Sequence, residues 1–124
     1  MRDSGQGGAE DVTIIYKLIS AAEWRAAEAA GVFHGAAIDL ADGYVHFSSA
    51  EQVKETAARH FAGAPDLLLI SIDAAKLGDA LKWEVSRGGA LFPHLYAPLA
   101  MDAARRVSPL PLGPDGNHDF TGLL

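Results

Sequence analysis

The sequence predicts an α+β domain, with two N-terminal helices against a small, mostly antiparallel sheet. Three observations carry that expectation. Leu67–Asp73 (LLLISID) is apolar on both of its alternating faces, as a central strand covered on both sides must be. Ser20-Ala-Ala-Glu23 and Ser49-Ala-Glu-Gln52 both have the capping-box spacing, and each opens a stretch of helix-forming residues. Leu81–Ser86 alternates strictly, with Leu81, Trp83 and Val85 toward a core and Lys82, Glu84 and Ser86 away from it. Dividing 124 residues in two would leave units of about sixty, where a lone core is marginal, so one domain over 12–124 is expected.

Met1–Asp11 carries three glycines and no apolar stretch, so it reads as a disordered tail and not as a secretory leader. The β-branched run Val12–Ile19 is the first strand. The alanine-rich helix behind Ser20 ends at Gly31, a suitable C-cap, with Trp24 and Ala27 on the face toward the sheet. A loop through Gly35 leads to a tight turn at Asp42-Gly43, and Tyr44–Ser48 is a short strand. The second helix runs from Ser49 to about Phe61, although Ser48 and Glu51 have the same capping spacing one residue earlier. Val53, Ala57 and His60–Phe61 form its apolar side, and Gly63 and Pro65 close it. Arg87-Gly-Gly is a turn. Leu91–Leu99 (LFPHLYAPL) is apolar, but its two prolines argue against a regular central strand. Ala100–Val107 fits helix or strand, and strand is preferred because Val107 and Ser108 lead into Pro109; the chain from Pro109 reads as loop with a turn at Asp115-Gly116.

Composition excludes more than it assigns. A formal net charge of −6 argues against a nucleic-acid backbone as partner, and only Arg105 and Arg106 are adjacent bases. The longest bulky apolar run, Leu67–Ile70, falls far short of the roughly twenty residues of a membrane span, so no membrane partner is expected. With no cysteine there is no thiolate nucleophile and no disulfide, consistent with a soluble, cytoplasmic-type domain. The five histidines are scattered without a His-x-x-x-His pair, so no metal is expected. Neither Gly-x-Ser-x-Gly, Gly-x-Gly-x-x-Gly nor a P-loop occurs. A small-molecule cleft is what survives.

Alternation says which residues could line one. If Val45 and Phe47 face the core, then Tyr44, His46 and Ser48 share the other face of their strand. Glu84 opposes Trp83, and His94 and Tyr96 oppose Leu95. Helix capping alone accounts for the serines, and a half-exposed strand position for His46. His94 is harder to dismiss, because Phe-Pro-His-Leu-Tyr sets polar groups on proline-fixed backbone. His34, His60 and His118 read as structural or surface residues.

Tyr16-Lys17, DGYVHFSSAEQV, DLLLISID, KWE and FPHLYAPL, in this order, resemble a bacterial family of small proteins, domain of unknown function 952. The resemblance covers nearly the whole chain after Val12. That family is similar to the ADP-ribosyltransferases, a split antiparallel sheet around a cleft for NAD. VHFSSAEQVKETAARHF and LLLISIDAAKL are also similar to a region of the RNA 2′-phosphotransferases, which use NAD. The resemblance implies NAD as substrate, with Glu84 and His46 catalytic and Lys17, Tyr44, Ser48, His94 and Tyr96 holding the cofactor. Glu84 would stabilise the oxocarbenium ion that forms as nicotinamide leaves. Tyr44 or Tyr96 would stack on nicotinamide. The chain departs from the family at Lys17, where histidine is usual, and at Ala97, where glycine is usual. A second expectation is a nucleotide-like binding module without catalysis. A third is an interaction surface at Leu91–Leu99.

Overall fold

Residues 12–124 are described by a computed structural model, and the tail expected over 1–11 lies outside them. In chain order the elements are β1 (Ile14–Ser20), α1 (Ala21–Ala30), β2 (Val32–Phe33), α2 (Ala37–Asp42), β3 (Val45–His46) and α3 (Val53–His60). Then come β4 (Leu67–Asp73), β5 (Leu81–Val85), β6 (Leu91–Leu95), β7 (Leu99–Ala100) and β8 (Ala104–Leu110). Every strand pairing among them is antiparallel.

The α+β expectation holds, and β4 is central as its two apolar faces require: it pairs with β1 on one side and β8 on the other. Leu68, Ile70 and Ile72 point into one core with Ile15, Ile19, Trp24, Phe33, Phe47 and Leu95. Leu67 and Leu69 point into a second, closed by Tyr16, Leu18, Val53, Ala57 and Phe120. The helix α1 is capped as the sequence implies. Ser20 Oγ accepts from the Glu23 amide at 3.2 Å, and its hydroxyl donates to the Glu23 carboxylate at 2.9 Å. Helix α3 forms only half of its box, since Gln52 Oε1 accepts from the Ser49 amide at 3.0 Å while no side chain caps the helix, which starts at Val53.

A second sheet, ordered β3-β6-β5, is joined to the first by the bridge between Tyr16 and Ser48. Its two backbone hydrogen bonds measure 2.8 and 2.9 Å. The strands β2 and β7 form a small third pair. Among the described residues, no helix is long and apolar enough to cross a membrane.

Four details correct the sequence reading. The strand β6 is the middle of its sheet despite Pro93. Ser86 donates to Ala90, so the hydrogen-bonded pairs between β5 and β6 are the even ones, and Pro93, opposite Trp83, needs no donor there. On its other side Pro93 only accepts, from the Phe47 amide at 3.1 Å, just where β3 ends. Trp83 and Val85 are not core residues but 42% and 71% exposed, because β5 is an edge strand and the core reaches only Leu81. The six-residue helix α2 occupies what reads as loop and turn. Finally, β7 ends at Ala100, a 3-10 turn follows, and β8 continues through Pro109 to Leu110, an edge position where a missing amide is tolerated.

Candidate functional site

The second sheet rests on a buried carboxylate. Lys17 lies between Ile15 and Ile19 on the core face of β1, so its ammonium enters the interior and needs an anion there. Asp39, on α2, supplies it at 3.1 and 3.0 Å, and Lys17 donates also to the His46 carbonyl at 3.0 Å. Asp39 accepts further from the amides of Ala36 (2.7 Å) and His46 (3.0 Å) and from the His46 ring at Nδ1 (2.6 Å). Burial pushes its carboxyl up, but the His46 hydrogen bond, the Lys17 charge and the two amides outweigh that and hold it well below the usual range. Burial draws the Lys17 ammonium below its ordinary value, with Asp39 opposing. His46 Nε2 lies 2.9 Å from Asp42, so both ring nitrogens face a carboxylate.

Close backbone approach makes this network possible. A Cβ on Gly35, whose φ is 131°, would stand 2.8 Å from the Asp39 Cβ. Gly35→Ala is therefore expected to cost about 1–3 kcal/mol, from left-handed backbone strain and a displaced Asp39. Chemical denaturation of the variant against Gly43→Ala, whose φ is also positive (87°) but whose Cβ would meet nothing, separates the two causes. Equal losses would refute the contact.

The polar face of the second sheet carries the remaining candidates. His46 and His94 are cross-strand partners. His94 is buried and its Nδ1 lies 2.8 Å from Glu84 Oε1, which also accepts from the Tyr96 hydroxyl at 2.7 Å. The Tyr44 ring stacks on His94 at 4.1 Å between centroids and touches Tyr96 and His46 at 5.2 and 4.6 Å. The Tyr96 and His94 hydrogen bonds hold the Glu84 carboxyl below its ordinary value. Glu84 in turn pushes the Tyr96 phenol up to about 12. Burial, with Asp42 and Glu84, raises Tyr44 as well.

Five of the seven residues singled out in the sequence, Tyr44, His46, Glu84, His94 and Tyr96, thus form one connected cluster. His46, His94 and Ser48 line a cleft of about 550 Å³ between the sheets and α3, together with Tyr16, Phe92 and Arg87. Ser48 is buried, 3.0 Å from Thr56 Oγ1. Lys17 also borders the cleft, but Asp39 engages its ammonium. Glu84 does not line the cleft and reaches it only through His94. Sequence reasoning missed Asp39, Asp42, Thr56 and Arg87. The signal for Asp39 was available, since a lysine amid a doubly buried strand requires a carboxylate. A second groove, of about 640 Å³, lies between α3 and the C-terminal segment and touches none of these residues.

Comparison with known proteins bears on the fold and the family. The crystal structure of protein CC0527 from Caulobacter crescentus superposes with a TM-score of 0.85 at 51% identity, covering 88% of this chain and 96% of that one. The solution NMR structure of CC0527 gives 0.81 at 50% identity, over 90% and 96% of the two chains. No curated protein matches. Residues 18–107, which span the Lys17-adjacent end of β1, Asp39 and the whole His46–Glu84–His94–Tyr96 cluster, match the family described as "Protein of unknown function (DUF952)", and the chain belongs to that family.

Proposed function

We propose that the cleft binds a nucleotide, with NAD as the leading candidate, and that the protein cleaves its nicotinamide–ribose bond in the manner of an ADP-ribosyl transferase or glycohydrolase. His94, on the wall of a nucleotide-sized cleft and hydrogen-bonded to Glu84 outside it, carries this reading. Two antiparallel sheets meeting at the Tyr16–Ser48 bridge, with the cleft between them, support the ADP-ribosyltransferase-like fold.

The ionised Glu84 accepts from His94 Nδ1, which leaves a lone pair on Nε2. The ring, itself on the cleft wall, can therefore take a proton. As the C1′–N bond breaks, its electron pair leaves with neutral nicotinamide and a ribosyl oxocarbenium ion forms. Water adds to C1′, and His94 removes the proton that the water loses. Glu84 fixes the tautomer of His94 and sets a negative charge one ring away from the developing cation. Of the other site residues, His46 lies beside the ribose hydroxyls, while Tyr44 and Tyr96 stand outside this cleft and act through its wall, Tyr44 by stacking on the His94 ring and Tyr96 by its hydrogen bond to Glu84.

A second reading, binding without turnover, draws on Lys17. Its ammonium is engaged by Asp39 and unavailable to a ribose. Thermal-shift titration with NAD, ADP-ribose and nicotinamide tests the first step. A ligand at a hundred times its Kd stabilises by about 2.7 kcal/mol, several degrees at this size. The shift is expected to vanish in His46→Ala and His94→Ala, and no shift with any of the three sinks the nucleotide reading. Release of nicotinamide by the wild type, lost in His94→Ala, favours the enzyme; a shift without release favours the binder.

A further inference from the structure

Arg87 has no role in the chemistry described above, yet it is a cation held in place on the cleft wall. It sits in the 3-10 turn Arg87–Gly89 between β5 and β6, where Gly88 and Gly89 both take positive φ (68° and 78°). From there the side chain runs back over Phe92, with the guanidinium carbon 4.9 Å from the ring centroid. One Nη2 hydrogen donates to Thr56 Oγ1 at 3.2 Å. The Thr56 hydroxyl is itself committed, donating to the Gln52 carbonyl at 3.1 Å and lying 3.0 Å from Ser48 Oγ. Arg87 is thus pinned by an aromatic face and a fixed oxygen.

What Arg87 lacks, among the described residues, is an anion. Among the described residues, no carboxylate oxygen lies within 4 Å of it. Glu55, which feels its charge, is paired with Arg59 at 2.9 Å. The other charged groups on the cleft wall have partners: Lys17 pairs with Asp39, and Asp42 lies 2.9 Å from His46 Nε2. In a chain of net charge −6 the cleft therefore presents an unmatched guanidinium with most of its five donors free. A rigid guanidinium fork fits a tetrahedral oxyanion through paired N–H bonds.

We infer that Arg87, pinned between Phe92 and Thr56, forms a phosphoryl subsite in the cleft and takes a phosphate-ester group of the ligand. This rests on the nucleotide reading of the same cleft, and deepens it by fixing the end at which the phosphates lie: the α3 side, away from Tyr96. Such a site accepts free inorganic pyrophosphate as well as a nucleotide, so both serve as probes.

The test is thermal-shift and calorimetric titration with inorganic pyrophosphate, with malonate as a carboxylate control at matched ionic strength. Wild type is expected to bind pyrophosphate in preference to malonate. Arg87→Gln is expected to weaken it by about tenfold or more, with Arg87→Lys intermediate, because a lysine keeps the charge without the fork. Arg25→Gln, which removes an exposed cation of α1 outside the cleft, is expected to leave pyrophosphate binding unchanged. Circular dichroism and the ligand-free Tm check that Arg87→Gln is folded; if it is not, Arg87→Lys and Thr56→Val carry the comparison. The inference is overturned if wild type does not bind pyrophosphate, if malonate binds equally, or if the Arg87 variants bind as well as wild type. NAD binding indifferent to Arg87 also overturns it while sparing the nucleotide reading. Pyrophosphate binding that depends on Arg87, with no response to NAD, upholds the subsite and rejects NAD.

Discussion

Asp39→Ala is expected to lose about 3–5 kcal/mol of folding stability, a large part of the 5–15 kcal/mol typical of a domain. The Lys17 and Asp39 side chains are 6% and 1% exposed, so removing the carboxylate strands an ammonium in the interior and leaves the Ala36 and His46 donors without an acceptor. The two costs separate in the double variant Lys17→Met/Asp39→Ala. Removing the stranded charge should restore part of the loss, and the orphaned donors should retain the rest. Chemical denaturation of the two single variants and the double closes the cycle; additive losses would mean that the pair is not coupled. Acid tests the same group. The folded Asp39 pKa lies below its ordinary value of about 3.9, so the unfolded chain binds the proton more readily. Its contribution is fully present above the unfolded pKa and lost as pH falls through the folded one. Stability should drop below about pH 5, and Asp39→Asn should lack that part of the slope.

This network marks the boundary of what the sequence made legible. Period-two alternation found β4 and the polar face of Tyr44, His46 and Ser48, because a strand flanked by cores is a local pattern that tertiary packing reinforces. The same alternation named the right faces of Leu81–Ser86 but assigned Trp83 to a core, since nothing local states how far along an edge strand the interior extends. Pro93 misled for a similar reason: its cost depends on which edge of the ladder its nitrogen faces, a matter of register with two other strands. The helix α2 is six residues long, too short to show a helical period, and its stabilising feature is Asp39 reaching Lys17 across 22 residues of chain. Arg87 looked like turn filler beside two glycines, and only the fold brings it to Thr56 and Phe92. The cluster itself was legible as a set of faces; that they converge depends on the pairing of β3 and β5 with β6.

The Tyr96 phenol is expected to titrate at about 12 in the wild-type protein and near the ordinary value of about 10 in Glu84→Gln, a change of about a hundredfold in proton affinity. Its cause is the 2.7 Å hydrogen bond to an ionised carboxylate, which deprotonation of the phenol would replace with repulsion. Tyrosinate absorbance follows the titration, and Tyr96→Phe assigns the step among the three tyrosines. The sign of the linked stability differs at the two ends of the pH scale. Tyr96 is raised, so its contribution is fully present below about pH 10 and lost as pH climbs through the folded value. Glu84 is lowered, chiefly by Tyr96 and then by His94, so its contribution is present above about pH 4.3 and lost as pH falls. A further variant decides what the bond is for. His94→Ala removes one donor from Glu84 but leaves the carboxylate ionised, so Tyr96 should keep its elevated pKa while any nicotinamide release disappears. If Tyr96 instead falls to its ordinary value, His94 is what holds Glu84 in place. The carboxylate would then depend on the imidazole that it was argued to orient, and the proposed direction of support within the pair would be reversed.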